Sequence, residues 1–200
     1  MPTRPDFNEL EAINRMLRAA DEDPVNTLDN DGTNDTDLAQ TILDERIVQI
    51  LNEGWAFNTE VLTLSPDNTS KIAISTGILR VDGHGDDYHS KFAIRDGFLY
   101  DRDNSTNEFT ANVELQVVRW LPFNELPLEA RYYIADSAAR EYQQTTTNDP
   151  NRDARLQEME EKSKATLMRA IWQETDAVWG ISKNSSTYRI RTRRRRDRRR

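Results

Sequence analysis

LNEGWAFNTEVLTLS (51–65) changes its periodicity halfway along. Upstream of it, Ala39, Ile42, Leu43, Ile47, Ile50 and Leu51 recur at the three- and four-residue spacing of one helix face, which predicts a helix from about Asp35 to Asn52. Downstream, EVLTLS (60–65) alternates as a strand does, with successive side chains on opposite faces. Gly54 stands where the helix must stop and is placed for a left-handed C-terminal cap. Trp55 and Phe57, alternating after that cap, are expected to fill core where helix meets sheet. A single segment therefore carries the chain from an α region into a β region.

The same test applied outward extends both regions. DFNELEAINRMLRAA (6–20) predicts an amphipathic helix with Asp6 as N-cap, Glu9 completing a capping box, and Phe7, Leu10, Ile13 and Leu17 on the apolar face. EDPVNTLDNDGTNDTD (22–37) is a connector of turn-forming residues. After EVLTLS, the segments KIAIS (71–75), HSKFAIR (89–95), GFLYD (97–101) and VELQVVRW (113–120) read as further strands, and Asp96-Gly97 is a tight hairpin signal. Pro122 and Pro127 then break the chain. LEARYYIADSAAREY (128–142) predicts a third helix using Tyr132, Ala135, Ala139 and Tyr142 on one side. Residues 151–179 predict a fourth, with Leu156, Met159, Ser163, Leu167 and Ile171 as its stripe and Trp172 and Trp179 near its end.

Helices at both ends with strands between them make an α+β protein. The expected organisation is a helical bundle from residues 1–58 and 121–179, an inserted antiparallel β domain over 59–120, and a disordered or extended basic arm over 180–200. Neither terminal set of helices can bury its stripe alone, so the two must pack together.

Charge divides the chain differently. Residues 189–200, RIRTRRRRDRRR, hold nine arginines and one aspartate, +8; the rest holds 18 basic and 34 acidic residues, −16. An acidic body with a cationic end points to a partner of opposite sign, whether nucleic acid, a membrane surface or an acidic protein. The absence of cysteine excludes disulfides, thiolate nucleophiles and cysteine-based zinc sites. No apolar run approaches the roughly 20 residues that span a bilayer, and MPTRPDFNELEA has no apolar signal core, so neither membrane nor secretion is expected.

Candidate chemistry is thin. HGDDYH (84–89) gathers both histidines around two aspartates, a set able to bind a metal, but Gly83 and Gly85 make a polar loop the simpler reading. DNDGTNDTD (29–37) resembles a calcium loop only loosely: Gly32 comes too early and no Glu falls at the twelfth position, so these residues serve better as turn formers and helix cap. Nucleotide-binding and hydrolase signatures do not occur, and nothing singles out one acid pair among 35 acids. No cofactor and no catalytic site are expected.

Four strings carry more information than composition does: PVNTL (24–28), GWAFN (54–58), YDR (100–102) and LPLEARYYI (126–134). In their order and spacing the chain resembles the tail tubular protein A, or head-to-tail adaptor, family of short-tailed bacteriophages over about residues 10–180. On that resemblance Pro24, Gly54, Trp55, Phe57, Asn58, Arg131, Tyr132 and Tyr133 are the structural motif residues. It implies a virion protein at the head–tail junction, assembled in the host cytoplasm as a ring of twelve. Such a ring joins the portal protein to the tail nozzle (tail tubular protein B), neighbours the tail fibre at that junction, and lets genomic DNA pass through. The arginine run lies outside the family pattern. It is read here as a docking arm for portal or a neighbouring subunit, through Trp179, Arg189, Arg191, Arg193, Arg194, Arg195, Arg196, Arg198, Arg199 and Arg200. The alternative is a nucleic-acid-binding protein whose arm grips phosphates.

Overall fold

The structure, a computed structural model, describes residues 7–28, 34–85 and 91–182, with the side chains of Asn34 and of residues 174–182 left aside. Four helices, α1 (Glu9–Ala19), α2 (Asn34–Leu51), α3 (Leu128–Thr146) and α4 (Pro150–Ser182), flank five strands, β1 (Thr59–Leu64), β2 (Ile78–Gly83), β3 (Phe92–Arg95), β4 (Phe98–Asp101) and β5 (Val113–Arg119). The fold is α+β, as the periodicities require. Helix α3 is the hub of the bundle and packs against α1, α2 and α4. All six stripe residues predicted for α2 are buried there, together with Ile13 and Leu17 of α1 and Ile134, Ala135 and Tyr142 of α3.

The helix ends follow from local chemistry. The side chain of Asn8, not Asp6, caps α1 by accepting the Glu11 amide at 3.0 Å; Asp6 lies outside the described residues. Both are good cap residues, and the one adjoining the first turn is used. Helix α4 opens with Asp149, whose carboxylate accepts the Asn151 amide at 2.8 Å, and has Pro150 at its first position, where a missing N–H costs nothing. Arg140 then clamps α3 to α4 through Asp153 at 2.8 Å and Glu160 at 3.2 Å.

Strands β1, β5 and β2 form an antiparallel sheet in that order, with β5 in the centre. Strands β3 and β4 form a separate hairpin, closed by Asp96 (φ 51°) and Gly97 (φ 77°). Two consecutive positive φ angles are what a type I′ turn requires, which is why Asp-Gly occurs here. A second apolar cluster lies between sheet and hairpin, built from Ile72, Ile74, Ile78, Val81, Leu99, Val113, Leu115 and Val117.

Three expectations are corrected. KIAIS is not a strand; it makes one isolated bridge, Ala73 to Phe98, and contributes Ile72 and Ile74 as buried anchors. The strand at Ile78–Gly83 was not anticipated, because Arg80 and Asp82 interrupt its apolar pattern and a bulge near Leu79 shifts its register. On α3, Ala135, Ala139 and Tyr142 are buried as expected, but Tyr132 is exposed and its neighbour Tyr133 takes the inward place.

Candidate functional site

Two neighbourhoods gather most of the described motif residues. The first is the joint between bundle and sheet. Gly54 ends α2 with φ +81°, and a Cβ there would lie 3.0 Å from the Arg80 guanidinium and 3.2 Å from Val118, so both the backbone angle and the close approach call for glycine. Trp55 is 8% exposed, donates its indole N–H to the Ile50 carbonyl at 2.7 Å, stacks on Phe57 and meets the edge of Tyr133 at 6.2 Å. Asn58, 1% exposed, accepts the Trp55 amide at 2.8 Å and donates to the carbonyls of Leu51 at 3.0 Å and Arg119 at 2.8 Å. A second amide works the same way upstream: buried Asn14 of α1 donates to the Val25 carbonyl at 2.9 Å and accepts the Val25 amide at 2.7 Å, pinning the connector beside exposed Pro24. Asn14 was missed in the sequence; an amide on the apolar side of a helix was the available signal.

The second neighbourhood is the outer face of α3. Arg131 donates to the Leu126 carbonyl at 2.8 Å and to the Phe7 carbonyl at 3.0 Å, tying the start of α3 to the start of α1. Tyr132 stacks on Phe7 with ring centroids 4.4 Å apart, and the Arg15 guanidinium lies over both rings. Arg15 also pairs with Asp136 at 2.6 Å. Burial pushes the Asp136 carboxyl above its ordinary value of 3.8, and the Arg15 charge opposes that shift only in part. Arg15, Tyr132 and Asp136 line an open cavity of about 420 Å³ between α1, α3 and α4, whose α4 wall is Met159, Lys162, Ser163 and Thr166.

Trp179 lies on α4 with its side chain outside the described residues, and the nine arginines of 189–200 lie outside them altogether. So do Asp86, Asp87, Tyr88 and His89 of the HGDDYH string and the first five residues of DNDGTNDTD. Among the described residues, no group of three or more His, Cys, Asp or Glu is placed to hold a metal, and no helix is long and apolar enough to cross a membrane.

The arrangement is one of clasps and exposed aromatic surface, suited to holding shape and meeting other surfaces. Comparison with known proteins agrees. The family model described as "Tail tubular protein" matches residues 10–178. Tail tubular protein A of Klebsiella phage KP34 is 31% identical over 155 residues, spanning 77% of this chain and 82% of that protein. The matched span runs from the first turn of α1 to the last turns of α4 and includes the first neighbourhood and all of the second but Phe7. This chain belongs to the tail tubular protein family, and is a structural protein of a bacteriophage tail.

Proposed function

We propose that the chain is a head-to-tail adaptor: copies form a ring of twelve that joins the portal protein above to the tail nozzle below and encloses part of the DNA path. Its role is structural and non-catalytic. The helical part, residues 1–58 and 121–179, is proposed to face the portal, with the β part, 59–120, toward nozzle and fibre. The observation that carries this reading is the family match across nearly the whole folded chain. Charge supports it as well. A body of net −16 repels phosphates, which suits a conduit that DNA must slide through. The arginine-rich end is then the docking arm, leaving the body on α4, which at 33 residues runs about 50 Å against about 28 Å for α3.

The test is capture on immobilised portal assemblies of the full chain and of a chain lacking residues 189–200. The full chain is expected to bind portal, less tightly as salt rises because exposed ion pairs are screened over roughly 10 Å at 0.1 M. The truncated chain is expected to fold with an unchanged circular dichroism spectrum and to bind portal weakly. Equal binding by both chains at every salt concentration rejects the docking arm. Truncation that removes only duplex-DNA retention favours a nucleic-acid grip instead, the reading for which the density of arginine speaks.

A further inference from the structure

Two unlike features of the chain have no counterpart among the described residues. On α4, Trp172 is 67% exposed and Met168, one turn earlier, is 40% exposed, with exposed Arg169 between them. The cavity between α1, α3 and α4 is open, and two of its lining residues, Tyr132 and Met159, are themselves exposed apolar side chains. Glu129 also lines it. Among the described residues, neither Glu129 nor Arg169 has an ion-pair partner.

Trp172 cannot enter the cavity of its own chain. The last α4 residue in the lining is Thr166, which lies about 9 Å back along the axis and about 120° round the helix. Only a second chain can bring projection and cavity together. The chemistry of the cavity suits an indole. The Ser163 hydroxyl donates to carbonyls of its own helix at 3.1 and 3.0 Å, and the Thr166 hydroxyl donates to the Lys162 carbonyl at 2.9 Å. Their protons are thus engaged, and their lone pairs remain to accept. Tryptophan is a donor and nothing else. The Tyr132 ring and the Met159 thioether are good neighbours for an aromatic face.

We infer that Trp172 of one copy seats in the α1–α3–α4 cavity of the next copy, with Arg169 set against Glu129. This rests on the ring reading above and names the surfaces that would build it. Contact between unlike patches is heterologous, and such contacts close into rings when the rotation per step divides the circle.

The chain has no cysteine, so introduced thiols are unique. Gln173→Cys, beside Trp172, and Lys162→Cys, on the rim of the cavity, both fall at exposed positions where substitution leaves the fold intact, and both leave the indole and Met159 in place. Equimolar mixtures of the two variants are treated with a short bismaleimide over rising concentration, with sedimentation velocity in parallel. Gln173→Cys mixed with Val48→Cys, an exposed position on α2, is the control. The mixed 173–162 adduct is expected to exceed both the control and either variant alone by about tenfold, because docking raises the effective concentration of the two thiols. Self-association without this adduct overturns the contact and leaves the ring standing. Absence of both adduct and self-association at the highest concentration overturns the contact as well, while portal capture judges the ring separately.

Discussion

The side-chain amide of Asn58 donates to the Arg119 carbonyl at 2.8 Å, so the residue at which the chain leaves the bundle holds the residue by which it returns. Between them lie all five strands. The same amide group also bonds Leu51 at the end of α2, so one side chain fixes helix end, strand start and strand end together.

Asn58→Ala removes three bonds in a buried setting and leaves the Trp55 amide and two carbonyls without their partner. Each such group costs about 1–3 kcal/mol, so a loss of about 3 kcal/mol or more is expected by urea denaturation. Asn58→Asp keeps the acceptor for the Trp55 amide but loses both donations, and is expected to be destabilised as well. Wild-type stability in the Asn58→Ala protein would show that the clasp contributes nothing.

Gly54→Ala and Gly97→Ala separate two reasons for glycine. Both positions have positive φ, at +81° and +77°, and each carries the left-handed backbone cost of about 1–2 kcal/mol. Only Gly54 is also crowded: a methyl there presses on Arg80 and Val118, whereas nothing lies within 4 Å at Gly97. Gly54→Ala is therefore expected to lower the melting temperature more than Gly97→Ala. Equal shifts would mean that Arg80 and Val118 move aside freely.

Asp136 offers a test by pH. Burial raises its folded pKa above 3.8, so the protonated form is favoured by folding. That contribution is fully present below 3.8 and is lost as pH rises through the raised folded value. The stability of Asp136→Asn relative to wild type is accordingly expected to increase between about pH 3 and pH 6. If Arg15 governed the site instead, the carboxylate would be favoured and the relative stability would fall over the same range.

Much of the fold was readable because periodicity is a local property. The six apolar residues predicted for α2 are all in the core, the Asp96-Gly97 hairpin closes β3 on β4, and Gly54 has the positive φ that its place after a helix demanded. The misreadings are equally specific. KIAIS alternates like a strand but lacks a neighbour to pair along its length, whereas ILRVDG carries two charges and is a strand because β5 lies beside it. Alternation states what a segment suits; a ladder needs a second backbone.

The sequence by itself determined the α–β–α order, the place of each helix to within a few residues, the hairpin turn, the acidic body with its arginine-rich end, and the family. These depend on residues within a few positions of one another, or on motif order. Only the tertiary structure decided that Tyr133 turns inward while Tyr132 stacks outward on Phe7, that Asn58 reaches Arg119, and that Arg15 meets Asp136 beside a cavity. Each of these joins residues far apart in the chain. Adjacent tyrosines have the same chemistry, so which one is buried depends on the elements packed around the helix.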